Sequence, residues 1–352
     1  MPGFLSRLFN DDRADLRAKI VGLYALLIAA NILAWLWAFA LFRDRPLLLG
    51  TALLAYGFGL RHAVDADHIA AIDNVTRKLM QEGKRPVAAG FFFALGHSAV
   101  IVAMSVGVAF AAAALEEHFA DLKAVGGVVS TAVSAFFLFA VAAVNIVILA
   151  AVWRSFQAAK RGGRLAEAEL DLLLNGRGFL ARLFRPLFRL VGRSWHLLPI
   201  GLLFGLGFDT ATEIALFGIS GAEAAKGASL ATILVFPALF TAGMSLVDTT
   251  DGVLMLGAYG WAFRKPLRKL YYNLTITIVS VTVAFLIGGI EVLGLVADQL
   301  KLEGAFWDGI GALDDNFATL GYLIIGLFAA SWLVSLAIYR LKGYDALDAE
   351  LR

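Results

Sequence analysis

Two imidazoles and two carboxylates lie close together in one short segment of the sequence. His62, Asp65, Asp67 and His68 fall within seven residues, in a stretch that is otherwise apolar enough to lie in a bilayer. Ionisable groups are costly at that depth and mark functional sites where they occur. Imidazole nitrogens and carboxylate oxygens are donors that borderline first-row divalent cations prefer. The segment therefore predicts handling of a transition-metal ion inside the membrane.

The rest of the chain has the composition of an integral membrane protein. Of its 352 residues, 60% are hydrophobic and only 16% are charged, which is far more apolar than a soluble domain. Apolar stretches of helix-spanning length recur along the chain, and we expect one all-α polytopic transport domain over residues 1–352 with eight transmembrane helices. The predicted helices 1 to 8 cover about 22–43, 46–72, 87–114, 125–153, 197–220, 228–258, 270–297 and 316–340.

The positions of lysine and arginine predict the orientation of these helices. Cytoplasmic flanks of transmembrane helices carry an excess of basic residues. Placing the N terminus inside assigns 24 of the 30 basic residues to the cytoplasmic side, five to the outer side, and Arg61 to the membrane. We therefore predict that both termini are cytoplasmic. The net charge of +2 reports this topology and gives no indication of nucleic-acid binding.

One long basic connection, residues 154–196, is predicted between helices 4 and 5 on the cytoplasmic side. Apolar residues and arginines alternate at helical spacing over 179–193, which is typical of an amphipathic helix on the inner leaflet. A plain topogenic linker is the equal alternative. The chain has no cysteine, so disulfides and thiolate metal ligands are excluded.

Helical geometry limits which side chains of predicted helix 2 can act together. At about 100° per residue, His62, Asp65 and His68 share one sector of a straight helix, whereas Asp67 points elsewhere. Some of these side chains would bind metal and others would orient an imidazole. His97 on predicted helix 3 lies at a similar depth, so it is a fifth candidate ligand.

Further polar residues occur within other predicted helices. They are candidates for the transport path or for charge balance, although polar packing between helices is the alternative, and for Asn31 alone packing is the favoured interpretation. Arg61 is the expected partner of one of the carboxylates. These path candidates are Asn31 on helix 1, Asp209 and Glu213 on helix 5, and Asp248 and Asp251 on helix 6.

A weak internal similarity links the two halves of the chain. The segment from Phe58 to Ala70 resembles the segment from Phe204 to Ala215, and predicted helices 3 and 6 contain a second similar pair. Three helices separate the members of each pair, so the two copies would run in opposite directions. This is the inverted-repeat arrangement of many secondary transporters, although chance similarity in apolar sequence is the alternative.

Four motifs in order resemble the nickel/cobalt transporter family, most closely its high-affinity bacterial nickel permeases. They are RHAVDADHI at 61–69, LGHS at 95–98, LGFDTATEI at 206–214 and GMSLVDTTDG at 243–252. The resemblance implies energy-coupled uptake of Ni²⁺, sometimes Co²⁺, across the bacterial cytoplasmic membrane. It implies that His62, Asp67 and His68 are needed for transport. It also implies that Asn31, His62 and Val64 favour nickel.

The sequence contains no phosphate-binding GxxxxGK[ST] loop, so the chain itself is not expected to hydrolyse ATP. We predict a secondary transporter whose Ni²⁺ is substrate rather than cofactor, with the lipid bilayer as its surroundings; no protein partner can be read from the sequence. An exporter of Ni²⁺ or Co²⁺ is the main alternative. An intramembrane metal-dependent hydrolase or a haem protein fits the motifs less well, because HAVDADH lacks a positioned glutamate base and carboxylates are in surplus.

Overall fold

The computed structural model describes residues 9–11, 15–160, 191–206, 211–262 and 266–341. All regular secondary structure within these ranges is helical, as expected for a chain whose polar backbone groups must be satisfied in lipid. A short 3₁₀ helix, Ser194–His196, precedes α5. The α-helices are α1 (Leu16–Phe42), α2 (Pro46–His62), α3 (Ala66–Gln81), α4 (Ala89–Lys160), α5 (Leu197–Phe204), α6 (Ala211–Ala225), α7 (Leu230–Ala262), α8 (Pro266–Leu300), α9 (Ala305–Asp314) and α10 (Phe317–Leu341).

The helices include several that are long and apolar enough to cross a bilayer. Within the described residues, four stretches meet this criterion alone, in α1, α4, α7 and α8. Two bent pairs, α2 with α3 and α9 with α10, raise the number to six if each pair is one span. The apolar stretches Thr131–Ala140 and Ser194–Phe204 are shorter. The protein is a multi-pass membrane protein, and the number of eight spans stays a prediction.

Predicted helix 2 is not one continuous helix. It breaks after His62, and α3 leaves at an angle of 51° to α2 and continues to Gln81, nine residues beyond the predicted end. Asp65 is extended, with φ −64° and ψ 147°. The amide N–H groups of residues 63–65 still donate to carbonyls of residues 59–62. Because these donors remain satisfied, the break is tolerated inside the protein.

Helix α4 covers the residues predicted as helices 3 and 4. The ring of Phe204 lies 5.2 Å from that of Phe93 and 6.0 Å from that of Phe137, measured between centroids. Along a straight helix, these two α4 residues would be about 66 Å apart. The chain must therefore fold back within α4, so that two segments of it pack against α5. Residues 154–160 of the predicted loop belong to α4, and its remainder up to 190 lies outside the described residues.

Glycines bring helix backbones into direct contact beside the histidines. A Cβ atom on Gly59 would lie 2.1 Å from the carbonyl oxygen of Phe240, so α2 touches α7 there. A Cβ on Gly96 would lie 1.9 Å from the carbonyl oxygen of Leu198, so α4 touches α5. Small residues allow such close crossings in membrane proteins. Gly59 and Gly96 lie three and one positions before His62 and His97, so the crossings fix the positions of both imidazoles.

We expect Gly59→Ala to destabilise the protein and Gly57→Ala, its control, to leave stability unchanged or raised. The added methyl group at position 59 meets a backbone oxygen and forces α2 away from α7, at a cost of about 1–3 kcal/mol. At position 57 a Cβ would meet nothing within 4 Å. Thermal unfolding in detergent measures both effects. Equal melting temperatures for the two variants would contradict the close crossing.

Candidate metal-binding site

Three imidazoles from three helices converge at one buried point. His62 ends α2, His68 lies in the first turns of α3, and His97 lies in α4. One ring nitrogen from each lies within 4.8 Å of the others. Their exposed fractions are 2%, 0% and 3%. The break between α2 and α3 creates this arrangement, because it brings His62 and His68 together from two helices of different direction.

The rings of this histidine cluster are positioned for a shared ligand. The Nε2 atoms of His62 and His97 lie 2.9 Å apart. The ring of His68 lies 4.7 Å from His62 and 4.8 Å from His97, edge to face in both pairs. Its Nε2 atom is buried and has no hydrogen-bond partner. A buried polar nitrogen without a partner is costly, so a cation that accepts the lone pair of His68 Nε2 would remove that cost.

Two carboxylates hold two of the imidazoles by the opposite ring nitrogen. Asp65 Oδ2 lies 3.2 Å from His62 Nδ1. Both oxygens of Asp248 on α7 lie 3.3 Å from His68 Nδ1. An Nδ1–H that donates to a carboxylate leaves Nε2 as the atom with a free lone pair. The carboxylate–imidazole pair is the usual support of a metal-bound histidine.

Glu213 brings a negative charge to the third imidazole. It lies in the first turn of α6, and its Oε1 atom lies 3.1 Å from His97 Nε2 and 3.9 Å from His62 Nε2. The neighbouring Thr212 hydroxyl lies 3.4 Å from His62 Nδ1. Nitrogen atoms and a carboxylate oxygen therefore surround one point, which is a donor set suited to a borderline divalent cation.

Aromatic rings separate the histidine cluster from its surroundings. The ring of Phe93 stands perpendicular to that of His68 at 4.8 Å. The ring of Phe240 lies 5.5 Å from His62. Both phenylalanines are fully buried. Such an apolar wall lowers the local dielectric constant and strengthens the interaction of the carboxylates with a cation.

The structure places the remaining residues of the helix 2 motif around the cluster rather than in it. Asp67 is half-buried, and its Oδ1 atom is buried without a partner. Val64 lies in the break, where its carbonyl oxygen would be 1.6 Å from a Cβ on Gly321 of α10. Arg61 is exposed, and the described carboxylates of the site pair with imidazoles instead. Among the described carboxylates of the site, the expected pairing with Arg61 is therefore not seen.

The predicted path residues have different surroundings. The amide nitrogen of Asn31 donates to the carbonyl oxygens of Leu27 and Ala242 at 2.8 and 3.2 Å, and thereby joins α1 to α7. Asp251 on α7 has a buried Oδ2 atom without a partner and interacts electrostatically with Asp248. Asp209 lies outside the described residues.

Sequence reasoning missed a second group of buried polar residues, which lies further along α3 than the histidine cluster. Arg77 is one of the 24 basic residues that the predicted topology places on the cytoplasmic side, yet its side chain is fully buried. Asp73 is equally buried and accepts hydrogen bonds from Tyr259 and Ser280. The available signal was the continuation of helical polar residues past 72, in DNVTRK.

Comparison with known proteins identifies the family. The family model described as "High-affinity nickel-transport protein" (NicO) matches residues 48–338. The chain belongs to this family. The match covers both halves of the broken helix, the histidine cluster and the carboxylates of α6 and α7. NicO proteins are transporters and not enzymes, so the hydrolase alternative is set aside.

Curated relatives extend the similarity over most of the chain. A "High-affinity nickel transport protein" of Cupriavidus necator is 61% identical over 336 residues, covering 96% of this chain and 95% of the relative. "Hydrogenase nickel incorporation protein HupN" of Bradyrhizobium diazoefficiens is 56% identical, covering 90% and 83%. "Cobalt transport protein NhlF" of Rhodococcus rhodochrous is 40% identical, covering 84% of each chain. No solved structure matches this NicO protein.

The His68–Asp248 pair predicts strong coupling between two substitutions. His68→Ala alone should destabilise the metal-free protein by about 3–5 kcal/mol, because it leaves a buried carboxylate without its partner. Adding Asp248→Ala removes that carboxylate. The double variant should therefore lose less stability than the sum of the losses of the two single variants. Thermal unfolding in detergent with a chelator present gives the coupling. Strictly additive losses would show that the pair does not interact.

Proposed function

We propose that this NicO protein takes up Ni²⁺, with Co²⁺ as a second substrate, across the bacterial cytoplasmic membrane. The observation that carries the proposal is the convergence of three buried imidazoles on one point inside a bundle of apolar helices. The names of the relatives from Cupriavidus and Bradyrhizobium support nickel. The name of the Rhodococcus relative supports cobalt.

In this proposal the cation binds to the Nε2 atoms of His62, His68 and His97. The carboxylate of Glu213 adds an anionic oxygen on the side of His97. Asp65 supports His62 by accepting the hydrogen bond from the Nδ1 atom of that imidazole. Asp65 can bind the cation itself only if the His62 ring rotates away from it. Asp67, with its unpartnered buried oxygen, is the remaining candidate ligand of the motif.

The spacing of His62 and His97 suits nickel in this proposal. Nε2 atoms 2.9 Å apart, each about 2.0–2.1 Å from a shared cation, subtend an angle of about 90° at it. An angle of about 90° is that of neighbouring ligands in square-planar or octahedral geometry, which Ni²⁺ accepts. Zn²⁺ in protein sites is almost always tetrahedral and needs wider angles. The three ring nitrogens lie up to 4.8 Å apart, so the imidazoles must move closer before all three bind one cation.

Membrane potential is a sufficient driving force for uptake. An inward-moving charge gains about 2.3 kcal/mol per 100 mV, and a dication therefore gains about 4.6 kcal/mol. This free energy corresponds to about a thousandfold accumulation. The proposal keeps the N-in, C-in orientation predicted from the basic residues, with residues 1–352 as one transport domain and the 154–196 connection on the cytoplasmic side.

An inverted repeat, if the weak internal similarity reflects one, would place helix boundaries at matching positions in the two halves of the chain. The similar segments 58–70 and 204–215 contain the boundaries of α2 with α3 and of α5 with α6. In each segment the second helix begins close to a residue of the site, His68 or Glu213. Discontinuous helices meeting near the midplane at a repeat interface are how many secondary transporters build a substrate site.

Transport is tested by accumulation of ⁶³Ni²⁺ at nanomolar concentration in cells that express the protein. We expect His97→Ala to reduce uptake to the level of cells that do not express the protein, because the variant lacks one of the three imidazoles. His196→Ala is the matched control, because it removes an imidazole that contacts Trp195 before α5 and accepts a hydrogen bond from the Gly192 amide. Accumulation below the level of empty cells would instead indicate an exporter.

A second prediction concerns the contribution of Asp65 to metal binding. Asp65→Asn should weaken Ni²⁺ binding to the purified protein by about 10–100-fold, because an amide holds the imidazole less strongly than a carboxylate does. Asp315→Asn, at an exposed acidic position, is the control. Competition with a chelating dye measures the affinity. Unchanged affinity in Asp65→Asn would remove Asp65 from the site.

A further inference from the structure

A second buried polar network lies in the bundle and takes no part in the histidine cluster. It joins α3 to the second half of α4, the end of α7 and the first half of α8. Every member is nearly or fully buried, so the network interrupts an otherwise apolar interior. Its members are Asp73, Asn74 and Arg77 on α3, Asn145 on α4, Tyr259 on α7, and Thr277 and Ser280 on α8.

Arg77 is the positive centre of this polar network. Its exposed fraction is 0%. One guanidinium nitrogen donates to the Thr277 hydroxyl at 3.1 Å, and another donates to the side-chain oxygen of Asn74 at 2.9 Å. The amide of Asn145 donates to the same Asn74 oxygen at 2.8 Å. Three helices are thereby fastened around one buried charge.

Asp73 is the negative centre one helical turn before Arg77. It accepts hydrogen bonds from the Tyr259 hydroxyl and, at 2.7 Å, from the Ser280 hydroxyl. The charge of Arg77 also acts on this carboxylate. Buried charges persist only where partners compensate them. Each hydroxyl therefore has a large effect on the network, because its loss leaves charge poorly compensated.

The polar network lies on one side of the histidine cluster. Arg77 follows His68 by nine residues along α3, which is about 14 Å. On α7, Tyr259 follows Asp248 by eleven residues, or about 17 Å in the same direction. With the proposed orientation, this side faces the cytoplasm. A cation leaving the histidine cluster inward therefore meets the polar network before it meets water.

We propose that this polar network is the inner gate of the transporter, closed in the described conformation. The proposal rests on the proposed function, since a gate needs a transported cation. The hydrogen bonds around Asp73 and Arg77 hold α3, α4, α7 and α8 together at the inner end. The fixed positive charge of Arg77 lies on the cytoplasmic side of the histidine cluster and repels a dication that moves inward. Release requires these bonds to break and Arg77 to move aside.

Asp251 provides the means by which a cation opens the gate. It lies on α7 three residues after Asp248 and eight before Tyr259, between the histidine cluster and the polar network, and its charge repels those of Asp248 and Asp73. Its buried Oδ2 atom has no partner. A dication that passes from the histidine cluster to Asp251 comes within the field of Asp73 and competes there with Arg77. Arg77 then keeps its hydrogen bonds to Thr277 and Asn74 but loses part of the attraction of Asp73, so arrival of the cargo weakens the closed state.

Cysteine labelling tests the gate directly, because the natural chain contains no cysteine. Leu256→Cys places a reporter at a buried position three residues before Tyr259, on the side of the histidine cluster. A charged, membrane-impermeant thiol reagent is applied to the cytoplasmic face of inside-out vesicles. In the reporter background, Tyr259→Phe removes a hydroxyl from Asp73 and should raise the labelling rate about tenfold or more.

Two variants make the result decisive. Tyr24→Phe is the matched control, because it removes a tyrosine hydroxyl that bonds Thr250 at 2.9 Å, between α1 and α7 and outside the polar network. Ser280→Ala removes the other hydroxyl from Asp73 with a smaller change in volume. We expect faster labelling in both network variants and not in the control. Equal rates in all three would overturn the gate.

Nickel separates this inference from the proposed function. Ni²⁺ supplied at the outer face should accelerate inner labelling of the reporter protein, and Asp251→Asn should abolish that acceleration. If ⁶³Ni²⁺ is accumulated normally while the network variants label no faster than Tyr24→Phe, the gate is wrong and uptake stands. If the protein without network substitutions accumulates no nickel, yet the reporter cysteine is labelled faster in the network variants, the gate stands and the proposed nickel uptake is wrong.

Discussion

The site depends on a helix that stops and restarts deep inside the bundle. At such a depth, irregular backbone is tolerated only where it is buried in protein with its polar groups satisfied. Here the amides of residues 63–65 keep carbonyl partners, and Gly59 and Gly321 let α7 and α10 approach the interruption closely. The change of direction brings His62 and His68 to one point. A continuous helix would place them six residues apart along one axis.

Charge balance explains the residues around that point. Asp65 and Asp248 hold imidazoles by Nδ1, and Glu213 approaches from α6, so carboxylates from the break, α7 and α6 surround three rings. Carboxylates are expensive in an apolar bundle unless a cation or a donor compensates them. A bound dication supplies that compensation. A site that is too well compensated when empty would bind its cargo weakly, and one that is poorly compensated would not fold, so the imidazole pairs represent a compromise.

Much of this arrangement could be predicted from the sequence, and the reasons for the rest are physical. Apolar runs predict the helices, and the donor types of His62, His68 and His97 predict the cluster. The break was not predicted, because residues 63–65 contain neither proline nor glycine and tertiary packing decides their conformation. Arg77 was assigned to the membrane flank because the sequence shows its charge but not its partners on α4 and α8. Glu213 was found as a buried acid, although its contact with His97 depends on the packing of α4 against α6.

The central claim is that three imidazoles of this NicO protein hold the transported nickel together. X-ray absorption spectroscopy of the purified, Ni²⁺-loaded protein tests it most directly, because imidazole rings give a characteristic multiple-scattering signal. The account predicts three imidazole nitrogens at about 2.0–2.1 Å, with the remaining positions filled by oxygen. A first shell of oxygen atoms with one imidazole or none would contradict it, and the histidine cluster would then be a polar core beside the true path.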